Sequence, residues 1–266
     1  MRTSRWLLAS GVTVAVAAGL LGYHSYQREA PEGPTLTRVA GRGELLVCTT
    51  GDYPPFTLRD GASDRYRGID IDMAGDLARA LGVRERLVRT EWGTLVNDLT
   101  RGRCDLVMGG VSVTADRARH AAFSVPYQAD GKTPITRCGR EGEFATLDRI
   151  DRPGVRVVVN PGGTNERFAR ERLRRAELRV HPDNRTIFGE ILAGRADLMI
   201  TDAVETRYQA RTRPGLCAVH PDRPFTRSQK AYLLPAGDPA FKARVDRWLS
   251  EALADGRYQR YGRAWT

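Results

Sequence analysis

At 266 residues with 41% hydrophobic positions, the chain is long enough to bury one large core or two modest ones. Its formal net charge is +10, yet only Lys132, Lys230 and Lys242 of its 42 basic residues are lysine. The arginines are dispersed among Asp and Glu. The densest run, Arg167 to Arg175, contains Glu171 and recurs at helical spacing, which describes a solvated helix face rather than a phosphate track, so no nucleic-acid partner is expected.

In chain order, Arg2 and Arg5 precede an apolar run from Trp6 to Leu21, the pattern of an export segment. Residues 1–24 are read as a signal peptide or, because the run is nearly long enough to span a bilayer, as an uncleaved membrane anchor. No cysteine follows the run closely, which argues against a lipid anchor. Residues 25–42 read as a polar, proline-containing tether. The globular part is thus expected to be periplasmic or otherwise extracytoplasmic, touching the membrane only through the N-terminal segment if that is retained.

Export changes the meaning of the four cysteines, because disulfides persist in oxidising compartments. Cys138 follows a predicted crossing strand and Cys217 lies in a short strand before the chain returns, so these two are expected to pair. Cys48 and Cys104 fall in predicted buried strands, where cysteine packs as a small apolar residue, and their pairing is left open. Scattered histidines and the lack of a Cys-x-x-Cys motif argue against a metal site.

From Glu44 the chain alternates strand and helix. A strand over 44–49 leads into Asp52-Tyr53-Pro54-Pro55 and a Gly-rich hairpin. Ile69, Met73, Leu77 and Leu81 then recur every fourth residue, an amphipathic helix stopped at Gly82. Strands over 87–90 and 105–108 flank a helix over 94–101. Further on, strands over 155–159, 178–180 and 197–200 alternate with helices, and such alternation predicts parallel sheets.

Asn160-Pro161-Gly162-Gly163-Thr164-Asn165-Glu166 is the strand-to-helix turn of the second half. Its glycines permit close approach of a ligand, and the N–H groups opening the helix favour an anion. Taken alone, the same residues also describe a capped helix start, with Thr164 as N-cap and Glu166 complementing the helix dipole. A repeat places the turn in context. Gly102-Arg103-Cys104-Asp105-Leu106-Val107-Met108 echoes Gly194-Arg195-Ala196-Asp197-Leu198-Met199-Ile200, implying two similar α/β lobes.

Extended segments at 131–137 and 228–234 bracket the second lobe, and the final helix, with Phe241, Val245, Trp248, Leu249 and Leu253, has no sheet of its own. It should pack back on the first lobe. The predicted division is 43–133 plus 229–266 for lobe 1 and 134–228 for lobe 2, joined by a two-segment hinge. Strand ends at Asp52-Tyr53, Ser112 to Arg117, Gly162 to Glu166 and Thr201-Asp202 then converge on one cleft.

Several runs resemble one family: Gly51-Asp52-Tyr53-Pro54-Pro55-Phe56, Gly68-Ile69-Asp70-Ile71-Asp72, Ser112-x-Thr114-x-x-Arg117 and Phe123-Ser124-x-Pro126-Tyr127. They are similar to the polar amino-acid type of periplasmic solute-binding proteins, which implies their type II two-lobed fold. Asn160 to Glu166, His181-Pro182-Asp183-Asn184, Thr201-Asp202-Ala203-x-Glu205 and Lys230-Ala231-Tyr232 further resemble the cyclohexadienyl dehydratase branch of that family, secreted enzymes acting on prephenate and arogenate.

This resemblance implies a small anionic substrate, a hydro-lyase reaction with loss of water and carbon dioxide, and no cofactor. It implies Glu166 as general acid, with Gln128, Lys132 and Asn165 orienting groups or stabilising charge. Ser112, Thr114 and Arg117 would hold a carboxylate, Gly163 and Thr164 would supply N–H donors to an anion, Tyr53 and Trp92 would flank the ring, and Asp202 would take an ammonium. The alternative is a non-catalytic amino-acid receptor that docks on an ABC permease. A physical tension accompanies Glu166: a helix N-terminus and Arg117 favour its charged form, whereas an acid must keep its proton.

Overall fold

The structure is a computed structural model and describes residues 33–265. The signal or anchor segment expected at 1–24 lies outside these residues. Among the described residues, no helix is long and apolar enough to cross a membrane.

Two five-stranded sheets organise the chain. The first runs in the order Arg84–Arg89, Glu44–Thr49, Leu106–Val107, Leu233–Pro235, Ala121–Phe123. The second runs in the order Glu177–Val180, Arg156–Val159, Leu198–Asp202, Lys132–Arg137, Leu216–Ala218. In each, the first three strands are parallel, as helical crossovers require. The fourth is antiparallel to both its neighbours. The sheets are therefore mixed rather than purely parallel, because a strand arriving from the other lobe enters from the opposite direction.

The Gly-Arg-x-Asp repeat has a physical basis. Gly102 and Gly194 both take φ +70, the left-handed conformation that ends a helix without a Cβ penalty. The following Asp then clamps the start of the neighbouring strand. Asp105 accepts from the Leu46 N–H at 2.8 Å and from Arg38 and Arg42. Asp197 accepts from the Arg156 N–H at 2.9 Å and from the Arg140 and Arg156 guanidinium groups.

Gln128–Asp130 and Ser228–Lys230 pair as a two-stranded antiparallel ribbon between the sheets. Beyond it, Lys132–Arg137 joins the second sheet from its first residue, Lys132 lying opposite Asp202. The helix Pro239–Ala254 buries Phe241, Val245, Trp248 and Leu249 in the core of the first lobe, beside Leu45, Val47, Met73 and Leu77. The second lobe packs Phe144, Val157, Phe168 and Leu198 on one sheet face and Ile135, Phe188, Ile191 and Met199 on the other.

Two local readings are corrected. Residues 25–42 were expected as a tether, yet Pro34–Arg42 is a helix ended by Gly43 at φ +68. Its Thr35 N–H donates to Asp238 at 2.8 Å, the carboxylate that also caps the helix Pro239–Ala254 through Phe241, so the helix belongs to the fold. Cys48 and Cys104 are joined by a disulfide, as are Cys138 and Cys217. Each bridge ties the sheet of one lobe internally. The first was not legible because the strand Glu44–Thr49 and the turn before Leu106 become neighbours only through the crossover.

Candidate active site

Where the two lobes meet, Tyr53, Trp92, Gly110, Ser112, Asn160, Gly163, Thr164, Asn165, Asp202 and Lys230 line a narrow, nearly filled cavity. Its first-lobe wall begins at Asp70. That carboxylate is fully buried and accepts from the N–H groups of Gly109 and Gly110 and from the hydroxyls of Tyr127 and Tyr232. Burial pushes its carboxyl up to about 6, against the pull of those donors. It fixes the loop that presents Ser112. Gly110 has φ +74, and a Cβ there would stand 2.5 Å from the Phe56 ring and 2.6 Å from Tyr53, so only glycine fits.

The aromatic wall consists of Tyr53 and Trp92, meeting edge to face with centroids 5.4 Å apart. Trp92 Nε1 donates to Asp52 Oδ1 at 3.0 Å, and the Asn184 side-chain amide of the second lobe donates to the Asp52 carbonyl at 2.9 Å. Burial raises the Asp52 carboxyl above its ordinary range. On the second lobe, Gly162 at φ +75 presses against Gly93, where a Cβ would come within 2.8 Å of the Gly93 backbone.

At the back of the site a buried charge cluster surrounds Asp202, which is 2% exposed. Its Oδ2 accepts from Lys230 Nζ at 2.7 Å and from the Tyr53 hydroxyl at 2.6 Å. Lys132 Nζ lies 2.8 Å from its Oδ1, an ion-pair contact off the hydrogen-bond direction. Lys230 also donates to Ser112 Oγ at 2.9 Å and stands 3.8 Å from Asp130. Lys132 donates to Thr164 Oγ1 at 2.9 Å and to Asn165 Oδ1. The two lysines hold Asp202 well below the carboxylate range despite its burial, while burial lowers Lys132 and raises Asp130.

The structure brings together Tyr53, Trp92, Ser112, Gly163, Thr164, Asn165 and Asp202 on the cavity wall, with Lys132 directly behind. Others are placed differently. Thr114 caps the short helix Ala115–Ala118 by accepting from the Arg117 N–H at 3.2 Å. Arg117 is buried beside the site, donating from Nη1 to the Ser112 carbonyl at 2.9 Å. Burial and the neighbouring Arg167 lower it to about 10, so it stays cationic at neutral pH. Gln128 turns away: its amide donates to the Ala129 carbonyl within the ribbon. Thr164 is the first helical residue rather than the N-cap, which is Gly163.

Glu166 departs furthest from expectation. Its Oε2 accepts from the Gly162 N–H at 2.7 Å, and its Oε1 accepts from Arg170 at 2.9 and 2.7 Å. These donors lower its carboxyl below the usual range, the opposite of a proton-bearing acid. The side chain is 19% exposed and borders the neighbouring solvent-facing hollow with Arg117, Arg167 and Arg170. Trp92, Gly163 and Thr164 line both that hollow and the inner cavity.

Asp202 is likewise unlike the open ammonium receptor expected of it, because both oxygens are taken by lysines. Lys230, which no motif marked as a site residue, lines the cavity. Lys230 had a usable signal, being one of three lysines in a chain that otherwise uses arginine.

Two α/β lobes on a two-strand hinge, with the site between them at strand ends, define a cleft-type binding protein of the type II class. Residues 45–266 match the model of the bacterial extracellular solute-binding proteins, family 3, and the chain belongs to that family. That family places its members outside the cytoplasm. The chain is 52% identical over 221 residues to a cyclohexadienyl dehydratase of Pseudomonas aeruginosa, covering 83% of this chain and 82% of that one. It is 29% identical to an L-cystine-binding protein of Escherichia coli, covering 98% and 95%.

Among solved structures, an ancestral amino acid-binding protein described as a precursor of cyclohexadienyl dehydratase superposes with a TM-score of 0.80 at 33% identity, covering 87% and 99%. An ancestral cyclohexadienyl dehydratase at 47% identity superposes with a TM-score of 0.56, covering 90% and 98%.

Proposed function

We propose that the chain is an exported cyclohexadienyl dehydratase. It converts prephenate to phenylpyruvate, and arogenate to phenylalanine, by loss of water and carbon dioxide. The observation that supports this over an amino-acid receptor is the state of Asp202. A receptor needs an acid open to the ligand's ammonium, whereas here Lys132 and Lys230 occupy both oxygens and the buried Arg117 adds a cation beside Ser112. Such a site suits a ligand whose charges are carboxylates. Prephenate, with two carboxylates and a keto group, fits it better than arogenate, whose amine would meet lysines.

The chemistry is modest. A proton goes to the ring hydroxyl, water leaves, and the electron pair of the breaking C–CO₂ bond completes the aromatic ring. Tyr53 and Trp92 flank the ring, Ser112 and Arg117 hold a carboxylate, and the Gly163 and Thr164 N–H groups face the anion. Glu166 is the proton donor in this reading. It directly follows Asn165, and must exchange Gly162 and Arg170 for the substrate hydroxyl. A dianion arriving beside it, with water excluded, raises its pKa in the required direction.

The test is direct. Purified protein incubated with prephenate should yield phenylpyruvate, and Glu166→Gln should abolish turnover while substrate still binds by calorimetry. Absence of turnover together with tight binding of an amino acid would overturn the enzyme reading. An active Glu166→Gln variant would move the acid to another residue.

A further inference from the structure

Asp52 is a half-buried carboxylate that the reaction above leaves without a role. Both its oxygens accept from the indole Nε1–H of Trp92, at 3.0 and 3.2 Å. A donor shared with an ionised acceptor makes a stronger bond than a neutral pair. The neighbouring cation from the second lobe, Arg185, is committed to Asp183 through contacts of 3.0 and 2.8 Å, which leaves the Asp52 oxygens to the indole.

The two partners differ in how firmly the chain holds them. Asp52 pairs with Leu58 across a hairpin, and its carbonyl accepts from Asn184 of the second lobe at 2.9 Å. Trp92 stands on the connection between the strand Arg84–Arg89 and the helix Leu95–Thr100, with exposed Glu91 and Gly93 on either side. Packing alone does not orient an indole. Its χ2 torsion is broad and roughly two-fold, so the ring can be turned over while filling much the same space. Its one polar edge, the N–H, donates and never accepts, so the place of a single acceptor decides which way the ring lies.

We infer that Asp52 is a positioning residue: its carboxylate selects the orientation of Trp92 that forms the aromatic wall of the site. The short strand Asp52–Tyr53 then sets both rings of that wall, Tyr53 directly and Trp92 through the carboxylate, with their centroids 5.4 Å apart. The same indole meets the second lobe. A Cβ built on Gly163 would stand 3.6 Å from the Trp92 Cβ, so a wandering ring changes the fit between the lobes as well as the wall. The effect on turnover rests on the dehydratase reading, while the effect on the indole does not.

The probe is prephenate, read by kcat, KM and calorimetric Kd, together with the indole N–H resonance of Trp92, assigned by its loss in Trp92→Phe. Asp52→Ala removes the acceptor. It should lower kcat/KM about 10-fold, the scale of one hydrogen bond to a charged group, and move the indole N–H upfield with faster exchange. Asp52→Asn keeps an oxygen in place and should restore most of both. Phenylalanine has no donor, so in the Trp92→Phe background Asp52→Ala should change kcat/KM by less than about twofold.

A folded Asp52→Ala variant with unaltered kcat/KM, or with an unmoved indole resonance, would overturn the inference. So would an Asn variant as impaired as Ala, since a charge or a proton rather than an acceptor would then be needed. An equal loss in the Trp92→Phe background would do the same. If Asp52→Ala does not fold, Asp52→Ser, whose side chain is too short to reach the indole, takes its place. An indole N–H that exchanges in the unaltered protein as fast as an exposed one refutes the inference without any variant. No turnover by the unaltered protein refutes the dehydratase reading alone, and the resonance still reports on Asp52.

Discussion

Replacing Lys230 by methionine removes one cation from beneath the site while keeping most of its bulk. Lys230 is completely buried, and its ammonium touches Asp202 at 2.7 Å, Ser112 at 2.9 Å and Tyr53 at 3.1 Å, with Asp130 at 3.8 Å. At an effective dielectric of about 20, the closest contact alone amounts to about 6 kcal/mol of Coulomb attraction. Desolvation cancels much of that, and removing one partner of a buried pair costs about 3–5 kcal/mol. Denaturant unfolding of Lys230→Met should therefore show a loss of that size.

The functional consequence is more specific. With Lys230 gone, Asp202 Oδ2 keeps only Tyr53 and becomes able to accept an ammonium. kcat/KM for prephenate should fall more than that for arogenate, moving their ratio about 10-fold, or ~1.4 kcal/mol. An unchanged ratio in a folded variant would show that the lysines do not set the preference. Unchanged stability would show that the two charges are not the buried, mutually dependent pair described.

Arg170→Ala should raise the Glu166 pKa, since Arg170 is one of the two donors that depress it, and the share of the acid-induced stability loss that comes from Glu166 should shrink in the variant. The sign follows from the depressed folded value: that contribution is present above the ordinary Glu range and is lost as pH falls through the folded pKa. The side chain is partly exposed, so the effect should be small, and a carboxyl titration by NMR checks it. Gly162→Ala meets both a φ of +75 and a 2.8 Å approach to Gly93, and should raise KM by preventing the lobes from meeting. Wild-type KM in that variant would show that the contact is dispensable.

Glu205, in the first turn of the helix Ala203–Thr212, has no exposed surface. Glu205→Gln should stabilise the fold at alkaline pH. The folded pKa of about 8 lies above the 4.5 of the free group, so folding favours the protonated form. Its contribution is complete below pH 4.5 and is lost as pH rises through 8, a cost on the order of 5 kcal/mol by pH 9. Thermal melts of the two proteins should diverge across that window, and parallel melting curves from pH 5 to 9 would refute it.

Much of the fold was legible because its signals are local. Ile69, Met73 and Leu77 are spaced for one helix face, and the β-branched run 155–159 followed by Gly162-Gly163 marks a strand, a turn and a helix start. The repeated Gly-Arg-x-Asp was visible as a pattern, although its role in clamping the adjacent strand needed coordinates. The cavity was foreseen to the extent that strand ends could be expected to converge. Thr114 and Gln128 were misplaced because a cap and a hinge strand offer their side chains closer partners than the cleft.

The sequence by itself determined the alternation of elements, the two related lobes, the double crossing and the glycine turn that opens the helix at Thr164. These depend on periodicity and backbone freedom over a few residues. The tertiary structure alone decided which charges meet. Lys132, Asp202 and Lys230 are distant in the chain and converge only when both hinge strands are in place. The same convergence seals Glu205 from water, joins Cys48 to Cys104 and leaves Glu166 facing Arg170. A side chain's protonation state depends on its neighbours and its access to solvent, and topology sets both.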